Sequence, residues 1–376
     1  MAQQGRAAGL PVTAAQVASQ VTLLGEGLTD ETIRLIRTTA QGWSANTRRA
    51  FLSDVRLWED WCQRRGVAVA EATGQQVARY VRELAGIEPR SEAMMWMPET
   101  RSRATIQRYL ASIGTAYTLA RKPSPVADPQ VRADKKLVRL KLGVRQNQAH
   151  GLRFKGEVAE LDDPPVGISI ANLLKACGYN WQGFRDAALL RTAYDIAARA
   201  SELVAINIED ILFESSGAGT VLLASSKTDQ AGEGSVRYLS PATCRAIRLW
   251  IELGKLGERG PLFRPVRTDF EGKPISIPGK TLHTGAVTQI LKRVVRKAQK
   301  LELLNLTDGE VEAWLKKGRS HSIRVGKLQE HIAADHSLGS ICQAYGIQDE
   351  KTVLRYAKQL IAKGGAAAKL ATKLAQ

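Results

Sequence analysis

The chain has 376 residues, 44% of them hydrophobic, and a formal net charge of +17. That length accommodates two domains with sizeable cores, and the apolar share excludes a disordered chain. The surplus of Lys and Arg calls for a polyanionic partner, foremost nucleic acid, and no apolar run is long enough for a bilayer-spanning helix. Cys62, Cys177, Cys244 and Cys342 lie far apart without metal-ligand spacing, so they read as reduced residues of a cytoplasmic protein.

Residues 1–25 are broken by Gly5, Gly9 and Pro11 and read as a flexible arm, not a signal peptide. Residues 26–142 read as a helical domain. The Ser44-Ala45-Asn46-Thr47 stretch caps a helix whose buried face carries Phe51, Val55, Trp58 and Cys62. A second helix follows Pro98, with Ile106, Leu110, Ile113 and Tyr117 inward. Asn46, Arg48, Arg49, Arg103, Gln107 and Arg108 sit near the starts of these two helices, where basic and amide side chains can reach DNA. A solvated basic face is the plainer alternative. Residues 143–163 read as a basic linker.

The second domain is expected over residues 164–362, with helices at Ser169–Cys177, Gly183–Asp195, Ala242–Leu253, Thr284–Leu301, His321–Ala334, Ser337–Tyr345 and Glu350–Ala362. Thr220–Ala224 and Ser235–Leu239 read as strands flanking a polar hairpin loop that carries Lys227. His331 and His336 are five apart, which does not align them on a helix, and no metal site is expected.

Four separated pieces carry chemistry. Arg199 and Glu202 follow an apolar helix, Lys227 stands at the hairpin, His321 and Arg324 share a helix face, and Tyr356 lies near the C-terminus. Each alone has an ordinary explanation, such as an ion pair or a turn lysine. Arg forks and a His at a helix start suit a phosphate.

In this order the pieces resemble the tyrosine recombinases (phage-integrase family). Lys227 follows Arg199 by 28 residues and Tyr356 follows His321 by 35, and the segments SANTRRAFLSDVRLWEDWC and LFRPVRTDFEGKPISIPGKTLHTGAVTQILKR extend the likeness over most of the chain. The resemblance implies a mainly α fold: a helical N-terminal core-binding domain and a mostly helical catalytic domain with a small antiparallel β-sheet. It implies Arg199 and Arg324 as phosphate ligands, Glu202 as their orienting carboxylate, Lys227 as general acid, His321 as a proton-transfer partner and Tyr356 as nucleophile. It further implies no cofactor, a double-stranded DNA partner with a roughly palindromic site, a homotetramer on two duplexes, and residues 363–376 docking on a neighbouring protomer.

Two departures stand out. The family's His or Trp, nine residues before the Tyr, is here Ile347, with Tyr345 and His336 as possible substitutes. A base-reading Arg of the family is replaced by Gly285, leaving His283, Thr288, Gln289 and Lys292 as candidate DNA contacts. A type IB topoisomerase and a non-catalytic DNA-binding protein of the same fold are the rival readings.

Overall fold

A computed structural model describes residues 12–24, 28–89, 100–143, 151–155, 167–224 and 234–356. The chain forms two compact units, residues 1–146 and 147–376. Most of the expected linker 143–163, together with Lys227 and segment 363–376, lies outside the described residues. No helix among the described residues is long and apolar enough to cross a membrane.

Among the described residues the first unit is helical: α1 (Ala14–Thr22), α2 (Asp30–Gln41), α3 (Ala45–Gln63), α4 (Gly74–Leu84), α5 (Arg103–Leu119) and α6 (Pro129–Leu142). Each begins where a Thr, Ser or Asp side chain accepts from an otherwise unpaired N–H of the first turn. The core is aromatic. Trp58 stacks on Trp61 at 5.2 Å and meets Tyr80 edge-on at 5.1 Å, and all three are fully buried. Trp58→Ala should therefore cost about 3–5 kcal/mol of stability, read from urea unfolding of the purified chain.

Within the expected flexible arm, residues 14–22 instead form α1, which buries Val17, Ala18 and Val21 in the first core. A reciprocal cap starts it: Thr13 accepts from the Gln16 N–H, and the Gln16 side chain accepts from the Thr13 N–H. The upstream glycines hid this Thr-x-x-Gln signal. Asp54 is fully buried in α3, where burial raises its carboxyl pKa while Ser112 and Arg108 of α5 act to lower it. Hydrogen bonds of 2.9 Å from Arg108 and from Ser112 tie the two helices together.

The second unit contains α7 (Ile170–Ala176), α8 (Trp181–Asp195), α9 (Ala200–Ala205), β1 (Ile211–Phe213), β2 (Gly219–Leu223), β3 (Ser235–Leu239) and α10 (Pro241–Leu253). It continues with β4 (Arg267–Thr268), β5 (Pro274–Ser276), α11 (Thr284–Lys300), α12 (Asp308–Lys317), α13 (His321–Ala333) and α14 (Leu338–Tyr345). Residues 350–356 are again helical. The fold is thus mainly α, with a three-stranded antiparallel sheet in the order β1-β2-β3 and a separate β4–β5 pair. The sequence reading missed α12 and the β4–β5 pair. Their strands are only two and three residues long, too short for an alternating pattern.

Two features position helix α13, which carries His321 and Arg324. Leu152 is buried in the core of this unit, and its N–H donates to the Ser322 carbonyl at 2.7 Å. The chain there runs so close to α13 that a Cβ on Gly326 would fall 2.0 Å from the Leu152 carbonyl oxygen, so only glycine fits. One turn on, Glu330 accepts from the Phe154 N–H at 2.7 Å.

Candidate active site

The site is built where the end of α8, the start of α9, strand β3 and α13 converge. Helix α8 ends with Ala197 in the left-handed conformation (φ +45°), a position usually given to glycine. Its N–H donates to Tyr194 O and that of Ala198 to Ala193 O, closing the helix end. The strain, about 1–2 kcal/mol for a residue with a Cβ, is offset by two contacts. The Ala197 methyl is fully buried in a cluster with Leu328, Ile341, Tyr345, Ile347 and Val353. Its carbonyl accepts from Arg324 Nη1 at 2.7 Å.

That turn delivers Arg199 to the start of α9. Glu202, buried one turn later, accepts from the Arg199 backbone N–H at 2.8 Å and from its guanidinium. The same carboxylate stands 4.0 Å from Arg324 Nη1. One acid therefore binds the Arg199 guanidinium and faces that of Arg324. Arg324 is almost fully buried, and that burial, followed by the repulsion of Arg199, lowers its pKa. A guanidinium nevertheless stays charged in proteins.

At the first residue of α13, His321 Nε2 lies 3.0 Å from the Tyr356 hydroxyl. His321 keeps solvent contact, but loss of hydration on its packed sides, then Arg324 and Arg199, hold its pKa below the usual imidazole value. The ring is thus neutral at pH 7 and able to accept a proton. Tyr356 is half-buried, and its backbone carbonyl accepts from Gln329 Nε2 of α13 at 2.9 Å. Arg199, Glu202, His321, Arg324 and Tyr356 therefore come together, from segments that span most of the second unit.

Ile347 is buried in the apolar cluster beneath this site and offers no donor. The two expected substitutes are engaged elsewhere. The Tyr345 hydroxyl lies 2.6 Å from His331 Nε2, and His336 Nδ1 lies 2.9 Å from His331 Nδ1. The two histidines do meet, contrary to their helical spacing, because α13 ends at Ala333, between them, and Asp335 turns the chain back with φ +64°. Burial, then Lys327 and His336, hold the His331 pKa down to about 4. No group of three His, Cys, Asp or Glu side chains able to hold a metal occurs among the described residues.

One residue of the site escaped the sequence reading. Arg237 points inward from β3 and is buried, while its neighbours Val236 and Tyr238 are exposed. A charged residue at an inward position of an alternating strand was the available signal. Burial lowers its pKa, and Glu202, Tyr345 and Arg199 are close enough to act on its charge.

The candidate DNA contacts divide. Asn46, Arg49, Gln107, Arg108, His283 and Gln289 are exposed, and Arg103, Thr288 and Lys292 are half-buried. Asn46 accepts from Arg49 at 2.8 Å, holding both at the α3 start. His283 caps α11 by accepting from the Gly285 N–H at 3.1 Å. Thr288 accepts from the Ser320 N–H at 3.2 Å, which makes it a brace for the start of α13. Arg48 departs from its expected role. Its guanidinium donates to the carbonyls of Val12, Ala40 and Trp43, so it locks the α1–α2–α3 corner.

No family model matches the chain. It is 26% identical over 325 residues to an integrase/recombinase XerD homologue of Selenomonas ruminantium, covering 84% of this chain and 82% of the relative. It is 24% identical over 333 residues to the recombinase Cre of Escherichia phage P1, covering 88% and 89%. Among solved structures, the XerH site-specific recombinase in a post-cleavage complex with a palindromic difH substrate superposes with a TM-score of 0.54 at 11% identity, over 95% of this chain and 97% of that one. The Tn1549 transposon integrase bound to transposon right end DNA gives 0.52 at 13% identity, over 92% and 94%. These last two are likenesses of fold. Relatives matched over more than four-fifths of their length, together with the arginines, histidine and tyrosine gathered on one site, support a tyrosine recombinase, an enzyme of site-specific DNA strand breakage and rejoining.

Proposed function

We propose that the chain is a Cre-like recombinase that exchanges strands between two copies of a roughly palindromic DNA site, through a 3′-phosphotyrosyl intermediate and a Holliday junction. The observation that carries this reading is the Tyr356 hydroxyl 3.0 Å from His321 Nε2, in a site where one carboxylate binds the Arg199 guanidinium and faces that of Arg324. In the proposed cleavage step the Tyr356 oxygen bonds to the scissile phosphorus and the bond from phosphorus to the 5′ oxygen breaks. The phenolic proton passes to His321, and Lys227 protonates the departing 5′ oxygen. Arg199 and Arg324 neutralise the non-bridging oxygens as charge builds there, which is electrostatic preorganisation. The phosphotyrosyl link conserves the bond energy, so a 5′-hydroxyl can reverse the step without ATP or a metal. A homotetramer on two duplexes, with residues 363–376 reaching a neighbouring protomer, completes the proposal.

The test uses a site recovered from a random DNA pool and nicked so that the cleaved fragment escapes. A covalent protein–DNA adduct, and recombination only between paired sites, are expected. Absence of any adduct would sink the enzymatic mechanism, and relaxation of supercoiled DNA lacking the site would favour a topoisomerase-like role.

A pH profile follows from His321. Only the neutral ring accepts the phenolic proton, and its pKa is lowered, so activity present at neutral pH is lost only as pH falls below the ordinary imidazole value of about 6.5. Single-turnover cleavage should hold steady from pH 7.5 to about 6.5 and decline below it. A decline beginning well above that range would contradict the assignment.

A further inference from the structure

We propose that Arg237 is a third guanidinium of the phosphate site, a catalytic residue that supplies the donor missing at Ile347. The inference rests on the recombinase reading above and deepens it.

The geometry begins at Gly346, the residue just before Ile347. Gly346 ends α14 in the left-handed conformation, with φ +54°. A Cβ built there would lie 2.2 Å from Arg237 Nη2. The guanidinium thus fills the space beside the backbone one residue before the position where the family carries its His or Trp. Arg237 reaches that place from β3, whose register with β2 pairs it with Val221. The segment of chain between the two strands carries Lys227.

Arg237 is 7% exposed, so its charge is largely removed from water. A cation in that position needs an anionic or hydrogen-bonding partner. Among the described residues, its one hydrogen bond is from Nη1 to the Val236 carbonyl, at 3.1 Å, and no carboxylate pairs with it within 4.0 Å. The nearest acid electrostatically is Glu202, which is already engaged by Arg199 and faces Arg324. Among the described residues, three guanidiniums therefore share one carboxylate, and that cluster is short of negative charge. A phosphate diester supplies that charge. A fork at Gly346 also explains why Ile347 can be apolar: the donor comes from the strand and not from the helix end.

The experiment compares Arg237→Ala with the unaltered chain in single-turnover cleavage of the nicked site, on a normal scissile phosphate and on an uncharged methylphosphonate. On the phosphate, cleavage should fall by about 10²–10³-fold, while DNA affinity changes less than about tenfold because many phosphate contacts remain. On the methylphosphonate there is less charge to neutralise, so the deficit should shrink to about tenfold or less. A residue that only packs against Gly346 would show the same deficit on both substrates, and that result overturns the inference, as does cleavage at the unaltered rate. If Arg237→Ala does not fold, Arg237→Gln and Arg237→Lys carry the same comparison. An unaltered chain that forms no adduct at all refutes the recombinase mechanism, a failure separable from that of Arg237.

Discussion

Tyr356→Phe should abolish covalent adduct formation on the nicked site while leaving DNA binding and stability nearly intact. The substitution removes one oxygen from a half-buried ring that packs against the apolar cluster containing Ala197, Leu328 and Ile347. What is lost is the hydrogen bond to His321, a contact open to solvent and worth about 0.5–1.5 kcal/mol. The Gln329 hydrogen bond goes to the Tyr356 backbone carbonyl and survives. Denaturing gels of protein and labelled DNA read the adduct, and gel shifts read binding. An adduct persisting in Tyr356→Phe would transfer the nucleophile to another residue and break the proposed mechanism.

Arg324→Lys should reduce cleavage by about 10²–10³-fold although it keeps the charge. A Lys ammonium is a point donor on a flexible stem and cannot reproduce a planar fork. Here Nη1 of Arg324 is committed to the Ala197 carbonyl, which leaves the rest of the fork for a phosphate. A lysine that satisfies Ala197 has its one nitrogen withdrawn from the substrate. A lysine that turns to the phosphate leaves a buried carbonyl unpaired at a strained turn, at about 1–3 kcal/mol. The expected signature is a fall in the cleavage rate together with a modest loss in urea stability. Cleavage within a few-fold of the unaltered chain would show that Arg324 does not act through its fork.

Much of the fold was legible because local rules dominate in helices. Ser44, Ser102 and Ser169 each precede an apolar repeat and each caps the helix expected there. Strand β3 has the expected bounds, and β2 is displaced by one residue. Where signals were short or masked, reading failed. Helix α1 was hidden behind glycines, and β4 and β5 are too short to show a period. Arg48 looked like a DNA contact because its type and position were right. Its use on three carbonyls depends on Val12, Ala40 and Trp43 meeting there, which no spacing reveals.

The sequence by itself determined the candidate residues and their order: Arg199 with Glu202, then Lys227, His321 with Arg324, and Tyr356. Those identities and separations are properties of the chain, and i,i+3 neighbours on a helix follow from its period. Only the tertiary structure decided that one carboxylate faces two guanidiniums, that the His321 ring meets the Tyr356 hydroxyl, and that Tyr345 and His336 are spent on His331. It also decided that the gap at Ile347 has a guanidinium beside it, because Arg237 is brought to Gly346 across 109 residues of chain. Such contacts arise from burial, which forces residues distant in sequence to share a cation, a carbonyl or a proton once water is excluded.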